Sequence, residues 1–183
     1  QPALCLEVSR PDVQAFIGEL VKKDGFEQRY LAAVFSKIES KQSILNAMGR
    51  PAEKVKSWPD YRSIFLTPRR ISAGVDFFRE HEARLRQIST RTGVPAEIIA
   101  AILGVETFYG TRTGSFRAVD ALGTLAFDYP PRSTFFRGEL RQLFLLAREE
   151  QLDVGSLLGS YAGALGPPQF IPSSYRNFAV DGN

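Results

Sequence analysis

The 183-residue sequence predicts a mainly α protein with little β structure. Two observations carry this. Apolar residues recur three and four apart along most of the chain, the spacing of one helix face. Prolines and capping hydroxyls stand in front of those stretches, and glycines stand behind them.

The first helix opens at Ser9-Arg10-Pro11-Asp12, which resembles a capping box with a proline in its first turn. It runs to about Lys23 with Val13, Phe16, Ile17 and Leu20 on one face, and Asp24-Gly25 stops it. A second helix is expected over about 27–40, with Leu31, Val34, Phe35 and Ile38 as its stripe. A short one follows over about 43–48. Residues 49–60 hold Pro51 and Pro59 and read as a surface linker, with Trp58 as a packing anchor.

Thr67-Pro68 joins a capping hydroxyl to a proline and starts the longest helix, which reaches about Thr92 before Gly93. Ile71, Val75, Phe78, Leu85 and Ile88 are expected on its core side. Pro95 opens a helix to roughly Phe108. Residues 110–131 are rich in Gly, Thr and aromatics and read as an extended excursion that could hold short strands, for example over 124–127. Ser133 caps a helix over about 135–150. Residues 155–166 form a small-residue loop with one helical turn, and Ser173 caps a last helix over about 174–180.

An apolar fraction of 44% and a charged fraction of 23% are those of an ordinary globular protein, which excludes fibrous or disordered classes. The net charge of +3 is small, and every lysine lies at or before Lys56. No stripe of Lys, Arg and aromatics forms, so no nucleic-acid partner is expected. The longest apolar run, 98–105, is too short to span a bilayer, and neither membrane attachment nor an export signal is visible. Cys5 is the single cysteine, so no internal disulfide can form; it reads as an incidental or packed thiol. His81 is the single histidine and reads as a solvent-facing helix residue.

The chemistry is expected at Glu106. Continued at helical spacing from Ile99 and Ile102, it falls on what reads as the buried stripe of its helix. A desolvated carboxyl holds its proton near neutral pH, as a general acid must. Phe108 and Tyr109 would form an apolar wall. The alternative is a Glu paired with a buried arginine or reaching solvent at the helix end.

Glu106 lies within Gly104-Val105-Glu106-Thr107-Phe108-Tyr109-Gly110, and a second long motif runs from Gly159-Ser160-Tyr161-Ala162-Gly163 through Gly166-Pro167-Pro168-Gln169-Phe170 to Tyr175. With Asp120 to Phe127, Tyr129-Pro130, Gly138-Glu139-Leu140, Ala147 to Gln151 and Val94 to Ile99, these resemble the lytic murein transglycosylase family, in the branch of the membrane-bound B enzymes. The resemblance covers essentially the whole chain.

It implies a lysozyme-like catalytic core over 93–183, with further sequence downstream completing the cleft, and an added N-terminal helical lobe over 1–92. It implies cleavage of the MurNAc-GlcNAc β-1,4 bond of peptidoglycan, with Glu106 as general acid and then base and a 1,6-anhydro-N-acetylmuramic acid product. By the same resemblance Ser160 hydrogen-bonds near the reacting sugar, Gln169 and Phe170 contact sugar rings and acetamido groups, and Gly163 lets backbone approach the glycan. Tyr161 joins this set, with packing as its other reading. For Ser160 the other reading is a loop hydroxyl bonded to nearby backbone, and for Gln169 and Phe170 it is core packing. Arg132 would meet stem-peptide carboxylates, although Pro131 stands where the family often carries the first of two basic residues.

Phe108 stands where relatives often have a polar or basic residue, and Pro167-Pro168 stiffens the second motif. Asp181-Gly182-Asn183 resembles the start of an EF-hand-like loop, which implies structural calcium at Asp181 and Asn183 if the loop is completed. The reaction itself calls for no cofactor. The implied location is the periplasm of a Gram-negative bacterium, in association with the outer membrane, and the implied partners are glycan strands and proteins of cell-wall synthesis or hydrolysis.

Two other functions fit the same motifs. A muramidase would need a second carboxylate to position water. Asp120 and Asp128 are the mid-chain candidates, and both are better explained as loop-capping acids. A non-catalytic peptidoglycan-binding protein would carry Glu106 as a relic. A helical adaptor would need exposed apolar stripes, whereas an internal core accounts for the stripes read above.

Overall fold

The computed structural model describes residues 4–49 and 57–180. As expected, the chain is mainly α with little β. The described residues divide by packing into two compact units, one within 1–50, 114–165 and 170–183, the other within 51–113 and 166–169.

The first unit is built from helices α1 (Pro11–Asp24), α2 (Gln28–Phe35), α3 (Gln42–Met48), α7 (Ala118–Asp128), α8 (Ser133–Glu149) and α9 (Pro172–Phe178). Two minimal antiparallel ladders join them. Strand β1 (Leu4–Cys5) pairs with β2 (Glu39–Ser40), and β3 (Phe116–Arg117) pairs with β4 (Leu158–Gly159). Cys5 is a free, exposed thiol.

Helix α7 lies at the centre of this unit. Every residue from Ala118 to Phe127 is buried. Aromatic rings fill the space around it: Phe35 and Phe144 stack at 5.6 Å, and Phe16 meets Phe127 edge-on at 5.7 Å. Its one buried carboxylate, Asp120, accepts two hydrogen bonds from Arg117 at 2.8 and 2.7 Å and one from the Glu39 amide at 2.9 Å. Asp128, at the end of α7, accepts from Arg10 and from the Ser40 hydroxyl.

This helix overturns the extended excursion expected over 110–131 from residue 118 on, including the strand over 124–127, while β3 is a short strand within its first part. A helix buried on all sides has no polar face, so its sequence loses the 3.6-residue signal. Asp120 is therefore a buried ion-pair partner inside a helix, not a loop cap. The other differences are local. Ser9 does not cap α1; its hydroxyl donates to Glu7, and Arg10 stands at the cap position with its guanidinium on Asp12. Helix α2 stops at Phe35, and the chain turns so that Glu39–Ser40 can pair with β1.

The second unit contains α4 (Trp58–Phe65), α5 (Pro68–Thr92) and α6 (Ala96–Thr107). The hydroxyls of Ser57 and Thr67 cap α4 and α5, and Gly93 closes α5 with φ of 76°. Leu85, Ala96 and Ala100 form the buried contact between α5 and α6, with Phe77, Phe78 and Ile99 against it. These two helices pack together on either side of residue 92. Of the linker expected over 49–60, residues 50–56 lie outside the described residues and 58–60 begin α4; Trp58 is no packing anchor, being 70% exposed with its ring stacked on Tyr61. Ile71 and Val75 are also exposed, against expectation. His81 is exposed, with its ring 4.5 Å from Phe77. No single described helix is long and apolar enough to cross a membrane.

Candidate active site

Glu106 stands one residue before the end of α6, and it is exposed. The buried side of α6 is made of small residues, Ala96, Ala100, Gly104 and Thr107. Its large apolar residues face outward: Ile98, Ile102 and Val105 are each about half exposed. The expectation that Glu106 lies on the buried stripe is thus overturned. The helix is apolar on both sides, and the side that lets α5 approach closely is the one with short side chains. Glu106 belongs to the outer apolar side, with Ile102 one turn behind it.

The end of α6 is shaped by three successive residues in the left-handed region, Phe108, Tyr109 and Gly110, with φ of 51°, 60° and 82°. The Tyr109 amide donates back to the Leu103 carbonyl at 3.0 Å and so closes the helix. Its ring lies over Gly104, where an added Cβ would come within 2.6 Å of the Tyr109 ring. The Tyr109 hydroxyl donates to the Arg70 carbonyl at 3.2 Å. Tyr109 thus covers the small-residue side of α6 rather than walling Glu106, which stays open.

Thr107 ties this end to the second motif. It is 1% exposed. Its hydroxyl donates to the Pro167 carbonyl at 2.9 Å, with the Leu103 carbonyl a longer alternative at 3.3 Å, and accepts from the Gly110 amide at 2.9 Å. The turn at 166–169 is held from its other end by Gln169, whose side-chain amide donates to the carbonyls of Thr113 and Gly166 at 3.1 and 2.9 Å. Gln169 has φ of 52°. Glu106 and Gln169 thus belong to one unit, in which the helix end and the turn are hydrogen-bonded together. The sequence reading missed Thr107. The signal for it was a hydroxyl four residues after Leu103 at the end of an apolar helix, a position suited to back-bonding.

The other candidates lie in the first unit. Leu165 bridges Gly159 on one side and Phe170 on the other, extending the β3–β4 ladder. Ser160 sits at the start of that extension, and its hydroxyl accepts from the amides of Ala162 and Ala164 at 3.2 and 3.1 Å. Phe170 is half-buried and exchanges backbone bonds with Leu165 at 3.1 and 2.7 Å. Tyr161 is exposed. Gly163 is buried with φ of 80°, and a Cβ there would come within 2.5 Å of the Leu122 side chain. The glycine is therefore required by the core beneath it as well as by its backbone. Arg132 ends a 3-10 turn over Pro130–Arg132, its guanidinium 4.3 Å from the Phe135 ring and 5.3 Å from Phe136.

Asp181 and Asn183 lie outside the described residues. Among the described residues no group of three or more His, Cys, Asp and Glu side chains converges on a metal position.

The model of the family described as transglycosylase SLT domain matches residues 9–183. The chain is 42% identical over 182 residues to membrane-bound lytic murein transglycosylase B of Escherichia coli, covering 94% of this chain and 50% of that protein. The structure of soluble lytic transglycosylase SltB1 of Pseudomonas aeruginosa superposes with a TM-score of 0.91 at 56% identity, covering 93% of this chain and 58% of that one. SltB3 of the same organism, solved with NAG-NAM-pentapeptide, superposes with a TM-score of 0.84 at 25% identity, over 93% of this chain and 45% of that one. The chain thus spans half to three-fifths of the first two relatives. These likenesses make the helical fold that of the lysozyme-like lytic transglycosylases.

Proposed function

Because the chain belongs to the transglycosylase SLT domain family, we propose that it serves a lytic transglycosylase that cleaves the MurNAc-GlcNAc β-1,4 bond of peptidoglycan. In this reading 93–183 carry the cleaving core and 1–92 the added helical lobe. Glu106 protonates the glycosidic oxygen, and the 6-hydroxyl of N-acetylmuramic acid attacks its own anomeric carbon. Glu106 then takes the proton of that hydroxyl. The glycosidic bond breaks, a C1–O6 bond forms, and no water is consumed. An intramolecular nucleophile supplies its own effective concentration, so a single carboxyl suffices where hydrolases use two.

The observation that carries this reading is the presentation of Glu106. It is open to a ligand, flanked by Ile102 and Val105, at a helix end locked by Thr107. A sugar ring laid on that apolar side would exclude water from the carboxyl, as burial in the protein does not. Ser160, Tyr161, Gly163, Gln169, Phe170 and Arg132 are proposed to line the glycan path. The muramidase reading loses its second acid, because Asp120 and Asp128 are both held in structural bonds.

The substrate is the glycan strand, with proteins of cell-wall synthesis or hydrolysis as further partners and the Gram-negative periplasm, at the outer membrane, as the site of action. The reaction needs no cofactor. The E. coli relative Slt35 has been solved with calcium. Structural calcium at Asp181 and Asn183 is proposed for a completed loop, since calcium takes roughly six to eight oxygen ligands.

Digestion of peptidoglycan in heavy-oxygen water tests the reaction type. Transglycosylation leaves the new muramic end unlabelled, whereas hydrolysis puts one solvent oxygen on it.

A further inference from the structure

Two residues after Glu106 in the chain, the ring of Phe108 is approached by three arginines. The guanidinium carbons of Arg112, Arg70 and Arg69 lie 5.1, 5.4 and 5.6 Å from the centroid of Phe108. Arg70 is also 5.0 Å from the Phe65 ring, so two rings hold its planar head. Its Nε is buried and has no hydrogen-bond partner, while Nη1 makes a long bond to the Ile64 carbonyl at 3.3 Å. Arg69 and Arg112 are exposed. None of the three is ion-paired among the described residues.

An aromatic face attracts a cation but does not cancel its charge. Three such charges on one ring repel one another. Arg69 and Arg70 also occupy the first turn of α5, which carries no acid and where the positive end of the helix dipole already disfavours cations. Phe108 presents its ring from a left-handed backbone, which a bulky residue adopts only where its surroundings enforce it. One bound anion would relieve the whole arrangement, and guanidinium forks match a carboxylate in shape as well as charge.

The geometry points to an anion subsite, formed by Arg69, Arg70 and Arg112 on Phe108, that takes a carboxylate of the peptide carried by the glycan. The inference rests on the function proposed above and adds which part of the substrate lies next to Glu106. The sugar rings and acetamido groups of the strand are uncharged, so its fixed anions are the carboxylates of the peptide. That peptide hangs from the muramyl sugar, the ring whose anomeric carbon Glu106 serves, and Phe108 is two residues from Glu106.

The test is a fluorescence titration of the 183-residue chain with three ligands: a labelled muramyl disaccharide bearing its peptide, the same disaccharide without peptide, and the peptide-bearing form with its carboxylates amidated. Binding is read rather than cleavage, so the result does not depend on turnover. The parent is expected to prefer the native peptide-bearing ligand by about tenfold, the scale of one good charge-assisted pair, and to treat the amidated form like the bare disaccharide. The Arg69→Gln/Arg112→Gln double variant should lose that preference. Arg91→Gln, roughly 30 Å farther along α5, should keep it. The subsite is overturned if the double variant keeps the preference or if amidation leaves it intact. A parent that binds all three ligands equally, or none of them, overturns the subsite and leaves the proposed function to the product test.

Discussion

The hydroxyl of Thr107 donates to the carbonyl of Pro167 at 2.9 Å, joining the residue after Glu106 to the turn of the second motif, sixty residues farther along the chain. Thr107→Val keeps the shape and removes the hydroxyl, leaving the Pro167 carbonyl and the Gly110 amide without this partner. A loss of about 1–3 kcal/mol in unfolding free energy is expected, the cost of an unsatisfied buried polar group. Thr107→Ser should recover most of it. Urea denaturation of the two variants checks this, and equal stability of Val and Ser would contradict it.

Asp120 is buried at 1% exposure and serves Arg117 and the Glu39 amide together. Asp120→Asn would leave Arg117 facing a neutral group. The side chain of Arg117 is 34% exposed, so the expected loss is at the lower end for a broken buried pair, about 3 kcal/mol. Amide exchange should rise at Glu39 first, since its amide loses the carboxylate.

The pH dependence of stability follows from carboxylates held in the folded state by arginines. Arg141 donates to both oxygens of Asp24 and holds that carboxyl below its ordinary range; Arg10 does the same for Asp12, and Arg176 for Glu149. For a carboxyl depressed on folding, the stability gained is fully present above its unfolded value, near pH 4, and is lost as pH falls through the folded value. Denaturation midpoints should therefore hold from neutral pH to about pH 5 and fall below it. Asp24→Asn should start lower at pH 7 and fall less steeply. An unchanged slope in that variant would show that Arg141 does not set the acid limb.

Gly163 combines φ of 80° with a Cβ position against Leu122. Gly163→Ala should cost about 1–3 kcal/mol, the range of a strained left-handed backbone. If instead only glycan binding weakens and stability stays put, the glycine serves the ligand rather than the core.

Much of the helical frame was legible because α1 shows one apolar stripe to the sequence, and Pro, Thr or Gly mark the ends of α1 and α5. Helix α7 was not, since burial on every side erases its periodicity. Glu106 was singled out from the sequence, but its side of α6 was misjudged. Ala100 and Gly104 pack against α5 while Ile98 and Ile102 face out, so apolar size pointed the wrong way. The second motif was placed as a loop. The Leu165 bridges and the Thr107–Pro167 bond are long-range backbone pairings that no local pattern announces.

The central claim, that Glu106 alone handles the protons of an anhydro-forming cleavage, is tested most directly by mass spectrometry of soluble products from purified peptidoglycan, with the parent and Glu106→Gln side by side. The expected result is 1,6-anhydromuropeptides from the parent and none from a Glu106→Gln variant that still binds the glycan. Anhydro products at the parental rate from the variant, or reducing-end products from the parent, would contradict it.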